Sequence, residues 1–168
     1  PGLAASWKVS DDAQVFTFKL RQDACFHSGR PVTAEDVKYA WERNLDPSLK
    51  APSAHLLNPI AGVADKVQGK AADVAGLEVI NAREIRVTLN QPDAGFLSRL
   101  GMPAFWVVDR EAVQAAGAQF GQPGNVSASA GTGPFKLQEW QKNKLLVLIA
   151  SANYWGSKTW LSQVEFYL

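Results

Sequence analysis

The sequence predicts a mixed α/β (α+β) fold with a largely antiparallel sheet and short flanking helices. Apolar and polar residues alternate along several short segments, which is the pattern of half-buried strands. Residues typical of turns separate neighbouring segments of this kind, and that arrangement favours hairpins. The 6 Trp and 8 Phe, together with 13 Gly and 9 Pro, also favour strands and turns over a helical bundle.

The first predicted hairpin lies within residues 7–20. In the segment VFTFKLR, the apolar residues Phe16, Phe18 and Leu20 share one face of a strand, and the polar residues between them share the other. The preceding SDDAQ has the composition of a turn. We therefore expect residues 15–20 to pair with residues 7–9.

A helix is predicted to begin after Thr33, which is a good N-cap residue. Glu35 and Asp36 fall in its first turn, where carboxylates accept hydrogen bonds from free backbone amides and suit the helix dipole. The apolar residues at helical spacing form one stripe: Val37, Ala40, Trp41 and Leu45. Pro47 ends the helix, because the residue before a proline disfavours the helical backbone.

The rest of the chain continues the alternation of short elements. In chain order, we expect a proline-containing connection at 48–59, a short amphipathic helix at 60–68 and a hairpin at 77–89 with its turn at 81–83. Short helices at 93–101 and 109–117 follow, on either side of an apolar segment at 103–108. Residues 121–134 are expected to be flexible, and paired strands at 135–140 and 144–150 and a last strand at 164–168 complete the chain.

Composition limits the classes of function. The formal net charge is +1, and the 17 basic and 16 acidic residues are spread along the chain, so no nucleic-acid surface is expected. No apolar run approaches the length of a membrane helix. Cys25 is the only cysteine, which excludes an internal disulfide and a thiolate metal cluster. We expect residues 1–168 to form a single domain that is a fragment of a longer protein, since the chain lacks an initiator Met and stops within a strand pattern.

No pattern of residues predicts catalysis or a cofactor. His27 and His55 are the only histidines, and neither has the closely spaced partners that a zinc site needs. Ser28 is adjacent to His27, where strand neighbours point to opposite faces, and no GxSxG motif is present. The GTGP at 131–134 leads into a strand pattern rather than a helix, unlike a phosphate-binding loop. We therefore expect no enzyme, no metal and no cofactor, and His27 is predicted to shape a turn.

Three ordered segments resemble the signature blocks of the family 5 extracellular solute-binding proteins, the dipeptide, oligopeptide and nickel receptors of ABC importers. The segments are LAASWKVSDDAQVFTFKLRQDACFHSGRPVTAEDVKYAWERNLDP, AGLEVINAREIRVTLNQP and GTGPFKLQEWQKNKLLVLIASANYWGSKTWLSQVEF. Together they cover nearly the whole chain. The sequence departs from the family pattern at Ser28, where Asp is usual, at Cys25, where Lys or Val is usual, and in IASANYWG, which lacks the common Arg-Asn-Pro.

The resemblance implies a subdomain of a periplasmic-binding-protein-like type II fold. Family members are considerably longer, with two lobes that close over the ligand, and this chain matches the smaller subdomain plus the strands that return to the first lobe. The resemblance also implies that His27 braces a structural turn between a strand and a helix. The residues expected to have such structural roles are His27, Gly29, Thr33, Gly131 and Gly133.

The resemblance further implies the substrate-binding component of an ABC importer, with short peptides as ligand and a membrane permease as partner. The alternatives are a nickel-chelate, opine or oligosaccharide receptor, the sensor module of a transcription regulator, or an enzyme whose site lies outside this chain. A monomer is expected, in the periplasm or lipid-anchored outside the cell membrane. The resemblance implies that two segments approach the ligand cleft, residues 53–56 and residues 102–106. The candidates for ligand contact within them are Ser53, His55, Leu56, Met102 and Phe105. Core packing is the alternative for Phe105, and a surface position without a ligand is the alternative for His55. Most ligand contacts are expected from the missing lobes, so the isolated chain should not bind peptides with useful affinity.

Overall fold

The computed structural model describes residues 2–126 and 130–168, and these residues group into two compact units. Unit 1 comprises Pro1–Gln22 and Thr33–Val107, and unit 2 comprises Asp23–Val32 and Val108–Leu168. Unit 2 therefore takes in a short stretch, Asp23–Val32, that interrupts unit 1 in the sequence; we call it the insert segment. The expectation of a single domain over residues 1–168 stays a prediction, and each unit is described by itself.

Unit 1 contains a four-stranded antiparallel sheet in the order β1-β2-β4-β3. The strands are β1 (Ala4–Val9), β2 (Val15–Leu20), β3 (Leu77–Asn81) and β4 (Glu84–Thr88). Phe16 of β2 lies opposite Val87 of β4, and Phe18 lies opposite Ile85, so the apolar sides of both strands share one buried face. Both hairpins predicted from the alternation of apolar residues are confirmed.

Helix α1 (Ala34–Asn44) follows Thr33 as predicted. The Thr33 amide and hydroxyl both donate to the Asp36 carboxylate, at 2.9 and 2.8 Å, which closes the first turn. The other helical elements of unit 1 are short: α2 (Val63–Val67), α3 (Phe96–Arg99) and the 3-10 helices Pro47–Leu49, Ala54–Leu57 and Pro103–Phe105. The connection predicted at 48–59 thus contains 3-10 turns, and the apolar segment at 103–108 begins with one.

Aromatic rings form the centre of unit 1. The Phe96 ring is fully buried, with its centroid 5.0 Å from that of Phe16 and 5.8 Å from that of Phe105. The Trp41 ring of α1 packs edge-on against the Phe105 ring, with the ring centroids 5.2 Å apart. The Trp41 indole N–H donates to the Phe105 carbonyl at 3.0 Å. The core therefore joins the sheet, α1 and the 3-10 helix Pro103–Phe105.

Unit 2 contains a three-stranded antiparallel sheet in the order β5-β6-β7, together with helix α4. These elements are α4 (Arg110–Ala116), the 3-10 helix Gly117–Gln119, β5 (Phe135–Gln141), β6 (Leu145–Ala150) and β7 (Gln163–Tyr167). The predicted pairing of the strands around residues 135–150 is confirmed. The expectation of flexibility at 121–134 falls partly on residues 127–129, which lie outside the described residues. The prediction of a mixed α/β fold with antiparallel strands and short helices is confirmed.

Candidate functional site

The two segments predicted to approach the ligand cleft lie side by side in unit 1. The 3-10 helix Ala54–Leu57, which Ser53 precedes, packs against the 3-10 helix Pro103–Phe105. These segments are far apart in the sequence, so their contact depends on the tertiary fold. The structure therefore brings the candidate cleft residues of unit 1 together on neighbouring turns.

The five cleft candidates differ in exposure. His55 is exposed and Met102 is 46 % exposed, so both present side-chain surface to solvent, whereas Ser53 and Leu56 are half-buried. Phe105 is only 4 % exposed and its ring belongs to the aromatic core. A ring buried to this extent offers no surface to a ligand, so the packing supports the core interpretation of Phe105.

Side chains of α1 hold the loop that carries Met102. The Asn44 amide donates to the Ala104 carbonyl at 2.9 Å, next to the bond from the Trp41 indole to the Phe105 carbonyl. At the surface, the Trp106 indole N–H donates to the Gly101 carbonyl at 3.2 Å. The backbone around Met102 is therefore fixed at several points, which lowers the entropy that a ligand contact there would cost.

Trp106 lies in the predicted cleft segment 102–106, but its exposure was not predicted. Its side chain is 62 % exposed, whereas that of the preceding residue, Phe105, is buried. The sequence shows only two adjacent aromatic residues in an uncharged run, and nothing local indicates which of them faces the core. Trp106 and Met102 together form the apolar exposed part of the loop.

A pocket of about 300 Å³, partly open to solvent, lies beside His55. Leu45 and Val67 contribute apolar surface, and Asp46 and Lys50 contribute charge of both signs. A hydrogen bond from Ser48 lowers the pKa of Asp46 below its ordinary value. The pocket is at the small end of the range for ligand sites and is open to solvent, so it offers contacts to a small group without enclosing it.

In unit 2, His27 is bonded to the GTGP segment (131–134). All four carbonyls of that segment accept hydrogen bonds, two of them from His27 and one each from Trp155 and Ser151. The contacts are His27 N to Gly131 O at 2.9 Å, Trp155 Nε1 to Thr132 O at 3.1 Å, His27 Nε2 to Gly133 O at 2.9 Å and Ser151 N to Pro134 O at 2.8 Å. Because a carbonyl only accepts, Nε2 of His27 carries a proton. The ring therefore fixes the course of the backbone before β5.

The same turn reaches the start of α4 through a buried carboxylate that sequence reasoning missed. Asp109 is 1 % exposed; it accepts from Arg30 at 2.8 and 3.0 Å, from the Ser28 hydroxyl at 2.7 Å and from the Glu111 amide at 3.1 Å. Burial acts to raise the pKa of Asp109, but the hydrogen bonds from Arg30 and Ser28 outweigh it and hold the pKa below its ordinary value. Asp109 thus remains ionised at neutral pH.

Ser28 has a clear role in this cluster, although it departs from the family pattern. Its hydroxyl donates to the second carboxylate oxygen of Asp109, while Arg30 occupies the first. An aspartate at position 28 would place a second negative charge against Asp109. Gly29, between Ser28 and Arg30, has a φ of +87°, which a glycine adopts without steric cost.

Within residues 2–126 and 130–168, no group of three or more His, Cys, Asp or Glu side chains is arranged to hold a metal ion. Over the same residues, no helix combines the length and the apolar character needed to span a membrane.

Solved structures place the fold among the type II periplasmic binding proteins. The chain is similar to the structure of Listeria monocytogenes OppA bound to peptide, with a TM-score of 0.90 and 32 % identity, over 99 % of this chain and 33 % of that one. It is also similar to the Escherichia coli murein tripeptide binding protein MppA, with a TM-score of 0.88 and 33 % identity, over 99 % of this chain and 33 % of that one. The predicted class of fold is therefore confirmed.

The chain belongs to the bacterial extracellular solute-binding proteins, family 5. The family model, described as "Bacterial extracellular solute-binding proteins, family 5 Middle", matches residues 1–168. The periplasmic oligopeptide-binding protein OppA of Escherichia coli (strain K12) is 36 % identical over 170 residues, which cover 99 % of this chain and 31 % of the relative. The chain thus spans about a third of the length of the curated relatives it matches.

Proposed function

We propose that the protein containing this chain is the substrate-binding component of an ABC importer and binds short peptides for uptake. The observation that carries the proposal is the match of the whole chain to an oligopeptide-binding protein at 36 % identity. The likeness to a structure described as bound to peptide, with a TM-score of 0.90, also supports it. In this proposal the chain is a non-catalytic part of the receptor and holds only a minority of the ligand contacts.

The same relatives support the proposed location and partners. The names of the OppA relatives and of MppA place those proteins in the periplasm, so we propose an extracytoplasmic protein, either periplasmic or lipid-anchored outside the cell membrane. Its proposed macromolecular partner is the membrane permease of the importer, which binds the receptor after ligand has shifted it to a closed form. The receptor is proposed to act as a monomer.

Among the cleft candidates, His55 and Met102 have the surface that a ligand contact requires. His55 is exposed on the 3-10 helix Ala54–Leu57, and Met102 is 46 % exposed on the neighbouring loop. An unbranched thioether adapts to ligand side chains of different shape, which suits a receptor for varied peptides. Ser53 and Leu56 offer less surface to a ligand. The buried Phe105 ring packs in the aromatic core and so anchors the loop.

We expect Met102→Ala to weaken peptide binding by the full-length protein by about tenfold or less, because one partly exposed apolar contact contributes about 1 kcal/mol. Isothermal titration calorimetry with short peptides of defined sequence measures this change. Met102→Leu is the matched control, since it keeps the apolar volume, and it should bind as the unmodified protein does.

The isolated 168-residue chain is a second control. It should give no heat of binding with peptides at micromolar concentrations, because most of the ligand site lies elsewhere in the full-length protein. A micromolar dissociation constant for the isolated chain would contradict the proposed division of the site. Failure of the unmodified full-length protein to bind any short peptide would contradict the proposed function itself.

A further inference from the structure

The insert segment is a compact hairpin-like turn. Cys25 and Pro31 form an antiparallel bridge, the Phe26 amide donates to the Arg30 carbonyl at 2.9 Å, and the Val32 amide donates to the Ala24 carbonyl at 3.1 Å. Its internal hydrogen bonds hold the two arms of the turn together. Three of its apolar side chains are almost completely buried: Ala24, Phe26 and Val32.

The chain segments of unit 1 that flank the insert segment are both bonded to the β3–β4 turn. Within unit 1, the Leu20 amide donates to the Arg83 carbonyl at 2.7 Å, and the Ala34 amide donates to the Ala82 carbonyl at 2.9 Å. The Arg83 guanidinium also donates to the Arg21 carbonyl at 3.0 Å. Two neighbouring residues of the β3–β4 turn therefore hold the chain just before and just after the insert segment.

The contacts of the insert segment within unit 2 reach three separate parts of the sequence. His27 bonds the GTGP segment, and Ser28 and Arg30 bond Asp109 at the start of α4. The Cys25 thiol donates to the Asn153 carbonyl at 3.0 Å. These parts lie about 80 to 130 positions along the chain from the insert segment. In the sequence, the insert segment is joined at both ends to unit 1 and not to the rest of unit 2. The order of unit 2 therefore depends on a segment whose two ends are held by unit 1.

We infer that the β3–β4 turn, through Arg83, is a conformational device that pre-organises the insert segment and so stabilises unit 2. Holding the two ends of a loop close together lowers the conformational entropy that is lost when the loop becomes ordered. The Ala82 and Arg83 carbonyls and the Arg83 guanidinium supply this restraint from unit 1. Arg83 is thus a positioning residue. It holds the chain next to the insert segment, and the insert segment itself makes the contacts in unit 2.

Hydrogen–deuterium exchange of the full-length protein tests this device. We expect Arg83→Met, which keeps the aliphatic stem and removes the donor, to speed amide exchange in residues 130–136 and at the start of α4. The loss of the hydrogen bond to the Arg21 carbonyl predicts an acceleration of about two- to tenfold. Exchange in the centre of β2 and β4 should change less, because those amides are held by the sheet.

Arg86→Met is the matched control, because Arg86 lies on the same hairpin and its guanidinium bonds Glu78 at 2.7 Å across the strands. It should leave exchange in residues 130–136 unchanged. Arg83→Lys keeps a donor for the Arg21 carbonyl, so amide exchange in residues 130–136 should be nearly as slow as in the unmodified protein. This result would distinguish the loss of the restraint from a general failure to fold. Unchanged exchange in residues 130–136 of Arg83→Met, or equal acceleration by Arg86→Met, would overturn the inference. Peptide binding plays no part in these measurements, so they do not depend on the proposed function.

Discussion

Asp109→Ala is expected to lower the free energy of unfolding by about 3 kcal/mol, because it leaves the Arg30 guanidinium without its buried partner. The Asp109 carboxylate is almost fully buried and accepts hydrogen bonds from Arg30, Ser28 and the Glu111 amide. Arg30 is 24 % exposed, so water compensates part of its charge and the loss falls at the lower end of the range for buried pairs. Urea unfolding of the full-length protein and of the variant measures the difference.

Asp46→Ala is the control for this variant. Asp46 caps the 3-10 helix Pro47–Leu49 by accepting from the Ser48 amide at 2.8 Å, as Asp109 caps α4, but it lies at the surface. Its replacement should cost about 1 kcal/mol or less. Equal losses for the two variants would show that Asp109 acts only as a helix cap and would contradict the importance of the buried ion pair.

The pH dependence of stability follows from the lowered pKa of Asp109. A carboxyl whose pKa is lower in the folded state stabilises the fold above its ordinary pKa of 3.8, and this contribution is lost as the pH falls through the folded pKa. The stability difference between the unmodified protein and Asp109→Asn should therefore shrink in acid, below about pH 4. A difference that grows as the pH falls would contradict the sign of the shift.

Phe96→Ala is expected to lower the free energy of unfolding by about 3–5 kcal/mol, because it opens a cavity at the centre of unit 1. The Phe96 ring is fully buried and packs against Phe16 and Phe105. Since Phe105 lies in the 3-10 helix that follows Met102, the cavity should also loosen the loop that carries the exposed cleft candidates. Urea unfolding measures the loss of stability, and hydrogen exchange in residues 101–107 measures the loosening.

Phe166→Ala tests whether any large apolar residue would give the same result. Phe166 lies on β7 and is 48 % exposed, so its removal leaves no enclosed cavity and should cost less than about 1 kcal/mol. A loss below about 1 kcal/mol for Phe96→Ala, or one equal to that for Phe166→Ala, would contradict the central position of the Phe96 ring.

Local patterns were enough to predict most of the secondary structure. The alternation around Phe16 and Phe18 predicts β2 because one face of that strand is buried, and the same holds for the hairpin that contains Ile85 and Val87. Thr33 predicts the start of α1 because the N-cap interaction involves only residues three positions apart. These signals are short in sequence, so the chain displays them without its tertiary structure.

Contacts between distant segments could not be predicted in this way. Asp109 meets Arg30 across a separation of 79 positions, and no periodicity or motif relates the two residues. The choice between burying Phe105 and burying Trp106 depends on Trp41 and Phe96, which belong to other elements. The resemblance predicted which segments approach the cleft, but only packing separates the exposed Met102 from the buried Phe105.

Native mass spectrometry of the full-length protein, purified without refolding, tests the proposed function most directly. Receptors that bind the peptide backbone accept varied side chains, with water filling the remaining space. We therefore expect a series of bound masses that match short peptides of mixed composition. A single discrete bound mass that matches a metal chelate, an opine or an oligosaccharide would contradict the peptide receptor and would point to a dedicated receptor for that ligand.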